Sequence, residues 1–527
     1  MRIVRIGPGS HATPSAEVIG NKAANLARMA ALGLPVPPAF VLPVSLCAAI
    51  TRGEPEAREK LEAGLAEGIA WLEEVTGRVF GDPRRPLLVS VRSGAARSMP
   101  GMLDTVLDVG ASPVAVRGLI RLTGNPHFAW DCRRRFLESF GGVVLGVERA
   151  VLARLARDIA AAEGVPEADL DGEAIERLAA DLDRVIAATV APVPEASMDQ
   201  LRAAAEAVYR SWGGERARVY RRLEHLEDLA GTAVTVQAMV YGNRNQKSAA
   251  GVAFSRDPST GAAVQVIDAL FESQGEDVVS GARTPLDGAA LARRVPEAAA
   301  GLQQVLRDLE TAFRDVQDIE FTIEDGTLWI LQTRAAKRTP RAALRFAVDM
   351  VSAGIIPPAE GLKRLAGLDL AALGERTIVG AGAEFTRGTA ASGGIAIGRA
   401  AFDSAAARRL ADTGVPVILV RPDTSTADVE GFSAAAGIVT AVGGRTAHAA
   451  LVARQMGRAC VVGCAGLNVD PAAGRARGEG GEIAEGDWLT VDGDQGRVFL
   501  GQAEIRETRP EAELAIIAGW QQADAAE

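Results

Sequence analysis

The chain has 527 residues, a formal net charge of −10, 48% hydrophobic and 24% charged residues. That length admits roughly three to four domains, each with its own core, and the composition excludes a disordered chain. Aromatic residues are only 4%, so the cores must be built from Ala, Leu, Val and Ile. The acidic balance excludes a general nucleic-acid binder while leaving room for a local basic pocket.

In chain order, the spacing predicts a helix over Ala23–Leu32, stopped by Gly33 and Pro35. Leu87–Val91 reads as a strand ending at Arg92, followed by a glycine-rich loop over Gly94–Gly101, where backbone amides can approach a phosphate. Residues 128–228 read as helical almost throughout. From Thr232 the pattern turns to strands: Ala233–Val240, Gly251–Phe254, Val264–Asp268, and the pair Ile319–Ile323 and Leu328–Gln332. Residues 337–382 return to helix. A last α/β region, Glu384–Leu500, holds the strand Pro416–Val420, a Gly-Gly loop, a helix from about Ala449, and a hairpin of Leu489–Asp492 with Val498–Leu500; residues 502–527 read as a polar helix or tail.

Cys47, Cys132, Cys460 and Cys464 are too few to staple such a chain, and no histidine or second cysteine pair flanks the last two. They read as buried free thiols in a reducing compartment. The N-terminal stretch Met1-Arg-Ile-Val-Arg-Ile-Gly7 lacks a signal-peptide core, and no apolar run approaches the ~18 residues of a membrane span. The expectation is a cytoplasmic protein with neither membrane nor nucleic acid as partner.

Two segments carry chemistry. In Gly443-Gly-Arg-Thr-Ala-His448, a histidine stands at the start of the helix Ala449–Met456. Unpaired N–H groups and the helix dipole favour an anion there, and a phosphoryl group on a neutral imidazole would be one. In the second segment, Asp318, Glu320, Thr322 and Glu324 share one strand face, while Gln332 and Arg334 share a face of the next strand. A two-residue Asp-Gly turn would throw Gln332 and Arg334 to the opposite side. A three-residue bulged turn, Glu324-Asp-Gly326, brings Asp318 opposite Gln332 and lines all four groups on one side. The bulged turn is therefore predicted. Two carboxylates and a carboxamide are hard ligands suited to Mg²⁺, and an arginine neutralises a transferring phosphoryl.

The histidine segment, with Gly457 and Cys460-Val-Val-Gly-Cys464 after it and Thr424-Ser-Thr-Ala-Asp-Val-Glu-Gly431 before it, resembles the phosphohistidine signature of the pyruvate phosphate dikinase family. Two departures are Arg445, where the family usually has Met, and Ala447, where it has Ser. The resemblance extends over Gly20-Asn-Lys22, Val89–Met102, Gly231–Asn243, Gln274–Val279 and Asp318–Arg334.

It implies an ATP-grasp-like nucleotide-binding domain over 1–336, with a helical subdomain at about 111–228. A helical linker over 337–382, a swivelling phosphohistidine domain over 383–501 and a C-terminal helix or tail over 502–527 follow, an α/β (α+β multidomain) fold. It implies that Lys22, Arg92, Gly101, Met239, Val240, Glu276, Asp318, Glu320, Gln332 and Arg334 contact ATP, with adenine near Met239 and Val240. Mg²⁺ is implied at Glu320 and Gln332. His448, with Arg92 and Arg334, is implied to be catalytic, and Thr446 matches a regulatory position of some members.

The resemblance covers the family's nucleotide and phosphohistidine parts, and the expectation is that its C-terminal barrel for phosphoenolpyruvate and pyruvate has no counterpart in this chain. The expected chemistry is that ATP, with phosphate, phosphorylates His448 and releases AMP and pyrophosphate. The phosphoryl group then passes to pyruvate or another acceptor on a separate barrel subunit. Alternatives are a dikinase for another acceptor, a water-dependent synthase, and a non-catalytic nucleotide-binding regulator. A homo-oligomer is left open.

Overall fold

The computed structural model describes residues 3–10, 13–97, 99, 103–280, 283–370, 373–423, 429–445 and 447–524; for 279, 280, 375, 429, 430, 448, 451, 455 and 524 it describes the backbone alone. Gly101, Thr446 and Thr424–Asp428 lie outside these residues. The chain divides into two units. The first runs to Gln246 and takes in Trp329–Thr333; the second is Lys247–Leu328 with Arg334 onward.

The first unit is built on an antiparallel five-stranded sheet in the order Val4–Ile6, Ala39–Leu42, Thr232–Ala238, Val89–Ala95, Thr105–Val109. Every residue of Thr232–Ala238 is buried, so the central strand is covered on both faces. The helix Pro55–Thr76 packs so close to the sheet that a Cβ on Gly68 would stand 2.5 Å from the Phe40 ring. The helical region between the strands holds Pro113–Thr123, Pro126–Val143, Arg149–Glu163, Gly172–Thr189, Ser197–Ser211 and Glu215–Leu223. Ser112, Asn125 and Asp171 cap three of these helices with side-chain acceptors. The scarce aromatics concentrate here: Phe128, Phe136 and Phe140 are fully buried.

The strand containing Arg92 continues to Ala95, three residues beyond the predicted end. Pairing explains the extension: Ser93, Gly94 and Ala95 keep their register against Val234, Ala233 and Thr232.

The second unit contains a four-stranded antiparallel sheet in the order Thr327–Ala335, Gln317–Glu324, Ala249–Phe254, Val266–Phe271. After it come the helices Pro340–Ser352 and Pro358–Leu365. The region 337–382 is not wholly helical, because Glu375–Gly380 forms a strand against Glu504–Thr508. The terminal helix Glu511–Asp524 returns to the same place, with Ile517 buried among Leu344, Ala347, Val348 and Leu365.

The last sheet has eight strands. Ile395–Ala401, Val417–Arg421, Gly437–Thr440 and Ala459–Val462 run parallel, with the helices Ser404–Ala411, Val429–Ala434 and His448–Gln455 between them in sequence. Parallel neighbours require such crossovers.

All four cysteines are free and buried. Burial pushes the Cys460 and Cys464 thiols up to about 12, which leaves them protonated and inert. No helix among the described residues is long and apolar enough to cross a membrane.

Candidate functional site: a carboxylate face and a docked histidine loop

In the first unit, Arg92 lies opposite Thr235 on one side and Thr105 on the other. Its Nε is buried and has no hydrogen-bond partner among the described residues. A buried unpaired donor costs about 1–3 kcal/mol, a cost that a bound anion would remove. Lys22 is exposed, the second residue of the helix Asn21–Ala31. Lysine there opposes the helix dipole unless an anion is near.

Gly20 sets the entry of that helix, with φ +78°. A Cβ on it would stand 2.1 Å from the carbonyl oxygen of Gly94. Both partners are backbone, so neither yields easily. Gly20→Ala is expected to destabilise the first unit by roughly 2–4 kcal/mol, read by urea unfolding. Met239 follows the strand Thr232–Ala238, and its N–H donates to Leu88 O at 3.0 Å. Met239 is buried and Val240 half-buried.

In the second unit, two rows cross the four-stranded sheet. Glu320 faces Val252, which faces Asp268; Asp318 faces Phe254, which faces Val266. Directly opposed residues share a face, so Asp318, Glu320 and Asp268 stand on one side. Asp318 is 4% exposed. Its Oδ2 accepts from Arg334 Nε at 2.7 Å, and its Oδ1 is buried without a partner among the described residues. Burial pushes the Asp318 carboxyl up, and the Arg334 guanidinium only partly offsets this.

The bulged turn is not what forms. The strands end at Glu324 and begin again at Thr327, leaving two turn residues, Asp325 and Gly326, with φ +49° and +81°. Two left-handed residues make the hairpin turn whose twist matches the flanking strands. The neighbouring strand anchors it: Asp325 N–H donates to Ser248 Oγ and Gly326 N–H to Lys247 O, both at 3.0 Å. The predicted bulged turn therefore fails, but Arg334 still meets Asp318, and Ala336 N–H donates to Val316 O at 2.9 Å, one residue out of step with the turn. Glu276 is exposed in the first turn of the helix Gly275–Ser280.

The histidine loop docks onto the carboxylate face. The helix His448–Gln455 begins at the histidine itself. Three residues earlier, the Arg445 N–H donates to Asp268 Oδ2 at 2.7 Å, and Arg445 Nε donates to Ala390 O at 2.9 Å. A Cβ on Gly444 would stand 2.5 Å from Pro285 Cγ, so the approach admits no side chain there. Arg454, 5% exposed, donates to Arg445 O and lies 5.5 Å over the Phe254 ring.

Asp268 and Glu320 are two strand spacings apart across the sheet, about 10 Å, so the loop rests beside Asp318 and Glu320. Sequence reasoning missed Asp268 and Arg454. The signal for Asp268 was a lone acid in the apolar run Val266-Ile-Asp-Ala-Leu-Phe271. Arg454 gave a similar signal, as a charge on the helix stripe of Ala450 and Ala453.

Among the described residues, no group of three or more His, Cys, Asp or Glu is placed to hold a metal. That fits an ion such as Mg²⁺, which takes one or two protein carboxylates and completes its shell with phosphates and water. The orphaned Oδ1 of Asp318 and the neighbouring Glu320 supply such carboxylates.

Two family models match the chain. That of the pyruvate phosphate dikinase AMP/ATP-binding domain matches residues 57–294 and 289–353, and that of the PEP-utilising enzyme mobile domain matches residues 414–496. The pyruvate, phosphate dikinase of Clostridium symbiosum is 40% identical over 510 residues, covering 95% of this chain. Pyruvate, phosphate dikinase 2 of Zea mays is 39% identical over 96% of it, and the Rhizobium meliloti enzyme 40% over 95%. The chain spans 58% of the length of each of these curated relatives. It belongs to the pyruvate phosphate dikinase family.

Proposed function

We propose that this chain performs the ATP half of a dikinase reaction, with His448 as phosphoryl carrier. The observation that carries this reading is the docking of the histidine loop, through Arg445 and Asp268, on the face holding Glu320 and the Asp318–Arg334 pair. The imidazole nitrogen of His448 attacks the β-phosphorus of ATP. An N–P bond forms, the bond from the β-phosphorus to the α,β-bridging oxygen breaks, and AMP leaves. Inorganic phosphate then attacks the outer phosphorus and departs as pyrophosphate, leaving one phosphoryl group on His448.

Lys22, Arg92 and the loop at Gly101 bind the polyphosphate; Met239 and Val240 hold adenine, with Glu276 a further nucleotide contact. Arg334 balances charge on the transferring group. Glu320, with Gln332 by the family match, is proposed to hold Mg²⁺, which when bound screens the phosphate charge. The domain division is proposed to follow 1–336, 337–382 and 383–501, with the middle segment as the swivel. Pyruvate, or another acceptor, is proposed to be handled by a separate barrel-bearing protein.

The test is to incubate the purified chain with Mg·ATP, with and without phosphate. AMP, pyrophosphate and an acid-labile phosphoryl group on the His448 peptide are expected, with pyrophosphate release requiring phosphate. Label and inorganic phosphate release without added phosphate would indicate a water-dependent synthase instead. An intact fold with no label would overturn the reading.

A further inference from the structure

The strand Thr232–Ala238 leaves its sheet at Met239, and the chain runs on to Arg244 outside any strand. The backbone position of this strap depends on what pins it. Met239 N–H holds its start on Leu88 O. Contacts at its far end come from the helix Pro126–Val143 and that helix's cap residue Asn125. Asn243 Nδ2 donates to Asp131 Oδ2 at 2.8 Å, and Asn125 Nδ2 donates to Arg244 O at 3.0 Å. Between them the Tyr241 ring meets Phe128 edge-on, with centroids 4.9 Å apart.

Asp131 is a fixed anion. It is 6% exposed, with Arg134 on Oδ1 at 2.6 and 2.8 Å and Arg135 on Oδ2 at 2.8 Å. Burial pushes its carboxyl up, but the two guanidiniums more than reverse this and hold it far below the usual carboxylate range. Asn125 does two things with one amide: its Oδ1 accepts from Phe128 N–H at 3.1 Å to cap the helix, while its Nδ2 holds the strap.

We infer that the helix Pro126–Val143 positions the strap for nucleobase selection, with Asn243 and Asn125 as its positioning residues. This rests on the proposed reading of Met239 and Val240 as the adenine contacts. Adenine presents an N6 donor where guanine presents an O6 acceptor. A backbone carbonyl set at a fixed height accepts from the first and repels the second. Discrimination of this kind requires a backbone that does not shift to accommodate the wrong base.

The test uses the full chain and three probes, ATP, GTP and tripolyphosphate, measured by equilibrium binding. Asn125→Asp keeps a capping oxygen but loses the donor to Arg244 O, and Asn243→Ala removes the bond to Asp131. Each variant is expected to weaken ATP about tenfold while leaving GTP and tripolyphosphate unchanged, so the preference for ATP over GTP shrinks by the same factor. That factor equals about 1.4 kcal/mol, one positioning bond. Two outcomes overturn the inference: an unchanged ATP-to-GTP ratio in both variants, or tripolyphosphate affinity falling in step with ATP. A wild-type chain that binds tripolyphosphate as well as ATP has no adenine site. In that case the nucleotide reading and this inference fall together.

Discussion

Replacing His448 by asparagine is expected to abolish the acid-labile phosphoryl label, with the rate of its formation falling by at least about 10⁴-fold. A carboxamide approximates the size of an imidazole but has no nucleophilic lone pair, so no N–P bond forms. The effect should be confined to that step. The helix start at residue 448 follows from its backbone and from the contacts of Arg445 and Gly444, which asparagine leaves in place. ATP affinity should therefore stay within about twofold of the unsubstituted chain, because the proposed nucleotide contacts lie on other elements.

The measurement is single-turnover labelling with ATP carrying label at the β-phosphorus, alongside equilibrium binding. Label persisting in the variant would move the carrier elsewhere. Of the other described histidines, His127 has its Nε2 3.1 Å from Leu170 O, a structural placement.

How far the sequence disclosed this arrangement depended on the range of the interactions. Local patterns were legible. The hairpin of Trp488–Asp492 with Arg497–Leu500, the helix start at His448 and the strand Ala249–Phe254 each follow from spacing or from a nearby turn. Non-local pairings were not. Glu375–Gly380 reads as part of a helical stretch until Glu504–Thr508, far along the chain, lies beside it.

The turn at Asp325-Gly326 failed for a different reason. Asp-Gly serves a two-residue turn and sits equally well in a bulged one, and the choice was made by requiring the polar groups to converge. The turn instead took the conformation anchored by Ser248 and Lys247, residues with no visible bearing on it in the sequence. Asp268 was hidden for a related reason. A buried acid in an apolar strand becomes meaningful only when the Arg445 N–H arrives from 177 residues away.

Substituting methionine for Arg334 should produce two separable losses. The first is catalytic. An arginine that balances charge on a transferring phosphoryl is worth about 10³-fold or more in rate, and methionine keeps the apolar stem but not the charge. The second loss concerns Asp318. That carboxylate is 4% exposed, and its Oδ2 is held by Arg334. Breaking a buried pair from one side costs about 3–5 kcal/mol. The Arg334 side chain is 42% exposed, so water screens part of the pair and roughly 1–3 kcal/mol is the expected cost.

The sign of the pH dependence follows from burial, which holds the Asp318 carboxyl above its ordinary value of 3.8 in the folded state. The folded chain then binds this proton more tightly than the unfolded chain. The site's contribution to stability is greatest below the ordinary value and is lost as pH rises through the raised one. Without Arg334 the carboxyl rises further, so the loss extends to higher pH.

Asp318→Asn removes the titrating group. In urea unfolding from about pH 4.5 to pH 8, R334M should lose stability as pH rises, whereas R334M/D318N should stay nearly flat. The phosphorylation rate should remain low in both, because the asparagine restores no positive charge. Recovery of the rate together with the stability would mean that Arg334 serves only to neutralise Asp318. Stability of R334M that does not vary with pH would mean that Asp318 is ionised over this range in the folded chain as it is in the unfolded one, and that burial does not raise it.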